Sequence, residues 1–238
     1  MIHKHPKKYS YGYPRMYKEL LSMGYICGKN KIARIMSKYG IRAKIKRKWK
    51  ATTDSNHKYP IAPNLLKQNF NIDSPNKVWV SDITYVWTKE GWLYLAIILD
   101  LYSRKIVGWS MDSRMKKELV INALKQACMN RKPKKGIIFH SDRGSQYASK
   151  DVQNYLINHG FIQSMSAKGN CYDNAVAESF FKTLKSECIY FKTFINRIEA
   201  KLTIFDYIEI FYNKERRHSV LGYISPDNFE NYNFKKVA

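Results

Sequence analysis

The run Lys77–Met111, KVWVSDITYVWTKEGWLYLAIILDLYSRKIVGWSM, decides the fold. Val78 to Trp87 is rich in β-branched and aromatic residues, Lys89, Glu90 and Gly91 break the pattern, and Trp92 to Asp100 resumes it. A second break near Ser103 leads into Lys105 to Met111. Strands joined by connections this short run antiparallel, as a meander. Downstream, a helix is predicted around Lys116 to Met129, a short strand at Gly136 to Phe139, and a helix near Asp151 to His159. A strand at Phe161 to Met165 and a long helix from Asn174 to about Glu187 follow. The order β-β-β-α-β-α-β-α predicts an α/β fold, a mixed five-stranded sheet of three antiparallel and two parallel strands with helices on its faces. Arg197 to Tyr212 again reads as helical, and a basic turn at Lys214, Arg216 and Arg217 comes after it.

Upstream of the meander the chain is a basic arm. Residues 1–76 carry 17 basic and 3 acidic side chains, against 25 and 16 in the rest. Pro14 to Met23 predicts a short helix with proline in its first turn, Gly24 breaks it, and Lys29 to Tyr39 predicts a second helix closed by Gly40. On the second helix Ile32, Ile35 and Met36 form an apolar stripe, while Lys31, Arg34 and Lys38 form a basic stripe turned away from it. Such a pair is either a helix-turn-helix touching phosphates or a helical hairpin with solvated lysines. Arg42 to Lys50, RAKIKRKWK, has six basic residues in nine, among them Lys46, Arg47 and Lys48. That density repels itself unless phosphates or counterions neutralise it. Residues 51–63 are polar, contain two prolines and read as linker. The expected division is therefore 1–50 basic DNA-binding segment, 51–76 linker, 77–190 core and 191–238 helical basic extension.

The whole chain of 238 residues has a formal charge of +23, the footprint of a polyanion partner. Its longest apolar run, Trp92 to Leu99, is eight residues, far below the ~20 needed to span a bilayer. With no signal-like apolar start, the chain is expected to be cytoplasmic and to have no membrane partner. Cys27, Cys128, Cys171 and Cys188 never approach C-x-x-C spacing, so neither a disulfide scaffold nor a zinc site is expected.

Three carboxylates stand where surface charge does not explain them. Asp82 lies in mid-strand on the face of Val78, Val80, Thr84 and Val86, where a carboxylate is costly unless a cation meets it. Asp142 follows the apolar strand, at the strand-end position where α/β sheets gather ligands, and a turn or helix cap is its other reading. Glu178 shares a helix face with Asn174, Lys182 and Lys185, with Ala177, Phe180 and Leu184 opposite. Taken singly, Glu178 and Lys182 read as an ordinary i,i+4 ion pair. Taken together, two strands and a helix can bring hard oxygen donors to one sheet edge and hold two Mg²⁺ ions about 4 Å apart. Asp100, at the end of the second strand, reads either as a neighbour of that site or as a turn cap. Asp173 reads as the N-cap of the Glu178 helix.

Asp142 and Glu178 are separated by 35 residues. With that spacing, the runs VWVSDITYV, LYLAIILDLYSRKIVGW, FHSDRGSQY, SAKGNCYDNAVAESFFKTLKSE and YNKERRHSVLGYISPDNF, together with YGYPRMYKELLSMGY, carry a family likeness. The sequence resembles the DDE transposase and retroviral integrase superfamily, and more narrowly the OrfB half of two-frame insertion-sequence transposases of family three. The resemblance implies a ribonuclease-H-like core in which Asp82, Asp142 and Glu178 bind two divalent ions, Mg²⁺ or in substitution Mn²⁺. It implies strand cleavage and transfer at the ends of a mobile element, with DNA as the partner and no small-molecule substrate. Lys185 falls where the family has a lysine that meets the DNA end; Lys182, Arg216 and Arg217 are further expected DNA contacts. Such elements usually join this half to an upstream frame carrying a separate helix-turn-helix and a leucine zipper. Neither is apparent here, so self-association or an upstream-frame protein is the expected protein partner. A DNA-binding regulator of the same fold, or a nuclease that cuts without joining, are the rival readings.

Overall fold

A computed structural model describes residues 8–43, 60–167 and 171–237. Lys46, Arg47, Lys48 and residues 51–59 of the expected linker lie outside the described residues. The meander comprises β1 (Val78–Thr88), β2 (Gly91–Asp100) and β3 (Ile106–Asp112), and the later strands are β4 (Ile138–Ser141) and β5 (Ile162–Met165). The sheet order is β3-β2-β1-β4-β5, with β1–β2 and β2–β3 antiparallel and β1–β4 and β4–β5 parallel. This is the mixed ribonuclease-H-like sheet that the sequence predicts. Gly136, expected to open β4, lies before it in a left-handed turn (φ 95°) that donates to the Gly160 carbonyl.

The helices are α1 (Tyr13–Ser22), α2 (Lys29–Lys38), α3 (Lys117–Arg131), α4 (Lys150–Asn158), α5 (Ala175–Leu184), α6 (Arg197–Phe205) and α7 (Pro226–Val237). Strand β2 is apolar along its length because both its faces are covered. Leu93, Leu95, Ile97 and Leu99 pack in one cluster with Ala177, Phe180 and Leu184 of α5 and with Ile204 of α6. Ala96 and Ile98 pack in the other, with Leu119, Val120 and Ala123 of α3 and Val152 and Leu156 of α4. Each such aliphatic side chain contributes about 1.5–3 kcal/mol through burial. Gly108 of β3 allows α3 to lie close: a Cβ there would collide with the Ala123 carbonyl and the Ala127 methyl.

Two expected helices are composite. After α5 the chain continues as a π-helical turn, Lys185–Ile189, and after α6 as a second one, Asp206–Tyr212. The N-terminal helices are docked rather than detached, since Tyr11, Met16, Ile32 and Met36 belong to the same buried cluster as α5. Ile35, expected in the apolar stripe of α2, is exposed, so the buried stripe is Ile32 and Met36.

Candidate active site

Sheet register brings the two aspartates together. The parallel β1–β4 ladder ends at the partners Val80 and His140, and Asp82 and Asp142 each lie two residues further on. Neighbouring strands are about 4.8 Å apart, so the two carboxylates leave one sheet edge side by side. Glu178 is on the first turn of α5, whose buried face of Ala177, Phe180, Phe181 and Leu184 packs against the sheet. The helix start is anchored to β1, because Asn174 donates from Nδ2 to the Ser81 carbonyl at 3.2 Å.

The electrostatics show how near the three groups are. Burial pushes the Asp82 carboxyl well above the ordinary carboxylate range; the charges of Asp142 and Glu178 add to this, while the Ile83 amide (2.8 Å) and Lys185 pull against it. Burial also raises Glu178, as does Asp142, with Lys182 opposing. Asp142 accepts the Gly144 amide on Oδ1 at 3.0 Å, which fixes its loop. Like charges held together in a half-buried cleft, all with hard oxygen donors, fit the chemistry of a divalent cation. Among the described residues, no three carboxylates, histidines or cysteines are closed into a ligand cluster as they stand.

Lys185, the first residue beyond α5, lies within the electrostatic field of Asp82, and its Nζ is 5.0 Å from the Tyr85 ring centroid. Burial depresses its ammonium and Asp82 partly restores it. Lys182 is exposed on the next turn back, as are Lys31, Arg34 and Lys38 on the outer face of α2.

Three expectations need correction, and one open reading is decided. Asp100 is not a neighbour of Asp82: the β1–β2 register pairs it with Trp79, and Asp82 with Ile97, which puts the two acids on opposite faces. It caps the turn instead, accepting the amides of Asn76 (2.8 Å) and Tyr102 (3.0 Å). Asp173 does not cap α5; its carboxylate accepts Asn64 Nδ2 and the Ala167 amide, each at 2.9 Å, and Asn174 occupies the cap position. Arg216, expected on DNA, is buried with its guanidinium forked onto Glu187 (2.8 and 2.8 Å). Arg217 is turned inward as well, onto Glu19 at 2.7 Å.

Sequence reasoning missed Ser81, Tyr147 and Asn174. Ser81 Oγ donates its proton to the Ile97 carbonyl at 2.8 Å, so the Tyr147 hydroxyl, also at 2.8 Å, is the donor to Ser81. One buried serine thus ties the strand of Asp82, the loop of Asp142 and the helix of Glu178. The available signal was the tyrosine that closes the run FHSDRGSQY, five residues after Asp142.

Residues 73–171 match the family model for an integrase core domain, residues 178–234 a second integrase core domain model, and residues 2–49 one for an HTH-like domain. A 31 kDa protein of insertion element IS600 from Shigella sonnei is 52% identical, over 92% of this chain and 81% of that one. The InsF transposase of insertion sequence IS3A from Escherichia coli K12 is 47% identical, over 95% of this chain and 78% of that one. Among solved structures, a chain of the simian T-cell lymphotropic virus intasome in complex with PP2A regulatory subunit B56 gamma has the same fold. The TM-score is 0.55 and the identity 14%, over 91% of this chain and 74% of that one.

Proposed function

The chain belongs to the IS3-type insertion-sequence transposases with an integrase core domain, and from that premise we propose that Asp82, Asp142 and Glu178 are its catalytic carboxylates. The observation that carries this is the shared position of Asp82 and Asp142 beyond the β1–β4 ladder, with Glu178 in the field of both. The three groups would hold two Mg²⁺ ions, or Mn²⁺ in substitution. When bound, such a pair supplies Lewis-acid activation of the attacking oxygen and stabilisation of the leaving one.

The protein's own residues orient the reaction. Ser81, Tyr147 and Asn174 fix the carboxylate-bearing segments, and Lys185 presents a cation beside Asp82, where a DNA phosphate would lie. Exposed Lys31, Arg34, Lys38 and Lys182, with the Lys46, Arg47 and Lys48 run, would take further phosphates of the same substrate. The reaction is in-line attack on a phosphodiester by water, which frees a 3′ end, and then by that 3′ hydroxyl, which joins it to target DNA. DNA is the substrate and the nucleoid the place of work. No helix among the described residues is long and apolar enough to cross a membrane. For paired ends the chain would need self-association or an upstream-frame protein of its element.

The test is strand transfer by the purified chain with a labelled, preprocessed DNA end and Mg²⁺ or Mn²⁺. Joined products support the transposase reading; cleavage with no joining under any metal condition leaves a nuclease, and neither leaves a DNA-binding regulator.

A further inference from the structure

The run Glu215-Arg216-Arg217-His218 stands outside the site just described, yet its two arginines are among the most fully engaged side chains in the molecule. Neighbouring in sequence, they reach opposite ways. Arg216 forks onto Glu187, which is on the π-helical turn continuing α5, two residues beyond Lys185. Tyr207 donates to the same carboxylate at 2.9 Å, and Arg15 of α1 comes to 3.5 Å of it. Tyr9 donates to the Glu187 carbonyl. Arg217 spreads over α1: Nε to Glu19 (2.7 Å) and Nη2 to Ser22 (2.6 Å), with Nη1 holding the Tyr223 carbonyl at 3.0 Å. Its own amide donates to the fully buried Tyr11 hydroxyl at 3.1 Å.

Helix α1 is therefore gripped at Arg15 and Glu19, one turn apart: Arg15 reaches Glu187 directly, and Glu19 is tied through Arg217 to the adjacent Arg216, which holds Glu187 on the π-helical turn continuing the Glu178 helix. We infer that Arg216 and Arg217 form a clamp that fixes the N-terminal DNA-binding helices relative to the catalytic helix, and so determines how far from the bound sequence the strand is cut. The inference rests on the transposase reading and adds a positioning role. The geometry favours it over phosphate binding because three of the five guanidinium N–H groups of Arg217 are already committed within the protein, and Arg216 is 3% exposed. The fork matters more than the charge, since lysine cannot span Glu19, Ser22 and the Tyr223 carbonyl at once.

Arg217→Lys at a half-buried position and Glu19→Gln at a buried one, both near-isosteric changes made in the full chain, separate the alternatives. The probe is duplex DNA from the two flanks of the gene, with cut positions mapped to the nucleotide. A clamp predicts that both variants bind this DNA as the parent does but spread their cuts over neighbouring positions, and that amide exchange in Tyr13–Ser22 rises in both without DNA. A phosphate contact predicts that Arg217→Lys behaves as the parent and that Glu19→Gln, one negative charge fewer, binds more tightly; this result overturns the clamp. Unchanged exchange overturns it too, and raised exchange with a single unchanged cut position overturns its role in setting the cut. Should the parent, with the upstream-frame protein of its element supplied, cut nothing with Mg²⁺ or Mn²⁺, the transposase reading fails, while the exchange arm still decides the clamp.

Discussion

Tyr147 donates its hydroxyl proton to Ser81 Oγ across 2.8 Å, joining the loop behind Asp142 to the residue before Asp82. Both partners are buried. Tyr147→Phe keeps the ring packed against Phe139 and removes only this bond, a loss of about 1 kcal/mol in stability. The larger expected effect is on the carboxylates: the metal concentration for half-maximal binding, read by calorimetry with Mn²⁺, rises several-fold while DNA affinity stays unchanged. An unchanged metal titration would assign Tyr147 to packing alone.

Removing Arg216 takes the forked partner from the buried Glu187 and leaves it the Tyr207 hydroxyl and Arg15 at 3.5 Å. Arg216→Ala should cost about 3–5 kcal/mol in urea unfolding, the usual penalty for breaking a buried pair from one side. Burial works to raise the Glu187 carboxyl, but Arg216, Arg15 and Tyr207 hold it below its ordinary 4.5. A depressed folded pKa stabilises the fold above the unfolded value and is lost as pH falls through the folded one. The parent should lose this contribution below about pH 4.5, and the variant should show no such acid-dependent loss from this pair.

Asp100 behaves in the opposite sense. Burial raises its carboxyl from 3.8 to about 6, against the Asn76 and Tyr102 amides and Arg131. In that interval the folded state keeps a proton that the unfolded state has lost, so stability falls as pH rises from 3.8 to about 6. Asp100→Asn should flatten that slope in pH-dependent unfolding and leave Mn²⁺ binding untouched. Weakened metal binding would return Asp100 to the site.

The exposed cations of α2 give a salt signature. Each phosphate contact contributes about 0.9 to the slope of log affinity against log salt, so replacing Lys31, Arg34 and Lys38 by alanine should flatten the slope by about 2 to 3. The weakening should be similar for unrelated DNA sequences. An unchanged slope would make these cations a solvated face.

What was legible in the sequence followed from local pattern. The meander is legible because β-branched and aromatic runs are punctuated by Gly91 and the Ser103 turn, and the parallel strands because Gly136 and Gly160 precede short apolar runs. Asp82 is noticeable as a carboxylate on a valine face, and the β1–β4 ladder places Asp142, like Asp82, two residues beyond its last pair. Arg216 could not be read, because its partner Glu187 is 29 residues away and only the packed fold brings them together. Charge in a basic run looks alike whether it faces phosphate or a buried carboxylate. Asp100 stays open between site neighbour and turn cap in the sequence for a related reason: proximity along a hairpin does not fix which face a residue takes, and one step of register decides it.

The most direct measurement is strand transfer by Asp82→Asn, Asp142→Asn and Glu178→Gln beside the parent, with a preprocessed labelled DNA end, Mg²⁺ or Mn²⁺, and DNA affinity measured in parallel. Each variant is expected to fold, to bind DNA within a few-fold of the parent and to lose transfer by about a hundredfold to a thousandfold, the scale of removing a group on which transition-state charge stabilisation depends. Transfer at the parent's rate by any one of the three would remove that carboxylate from the centre and contradict the account.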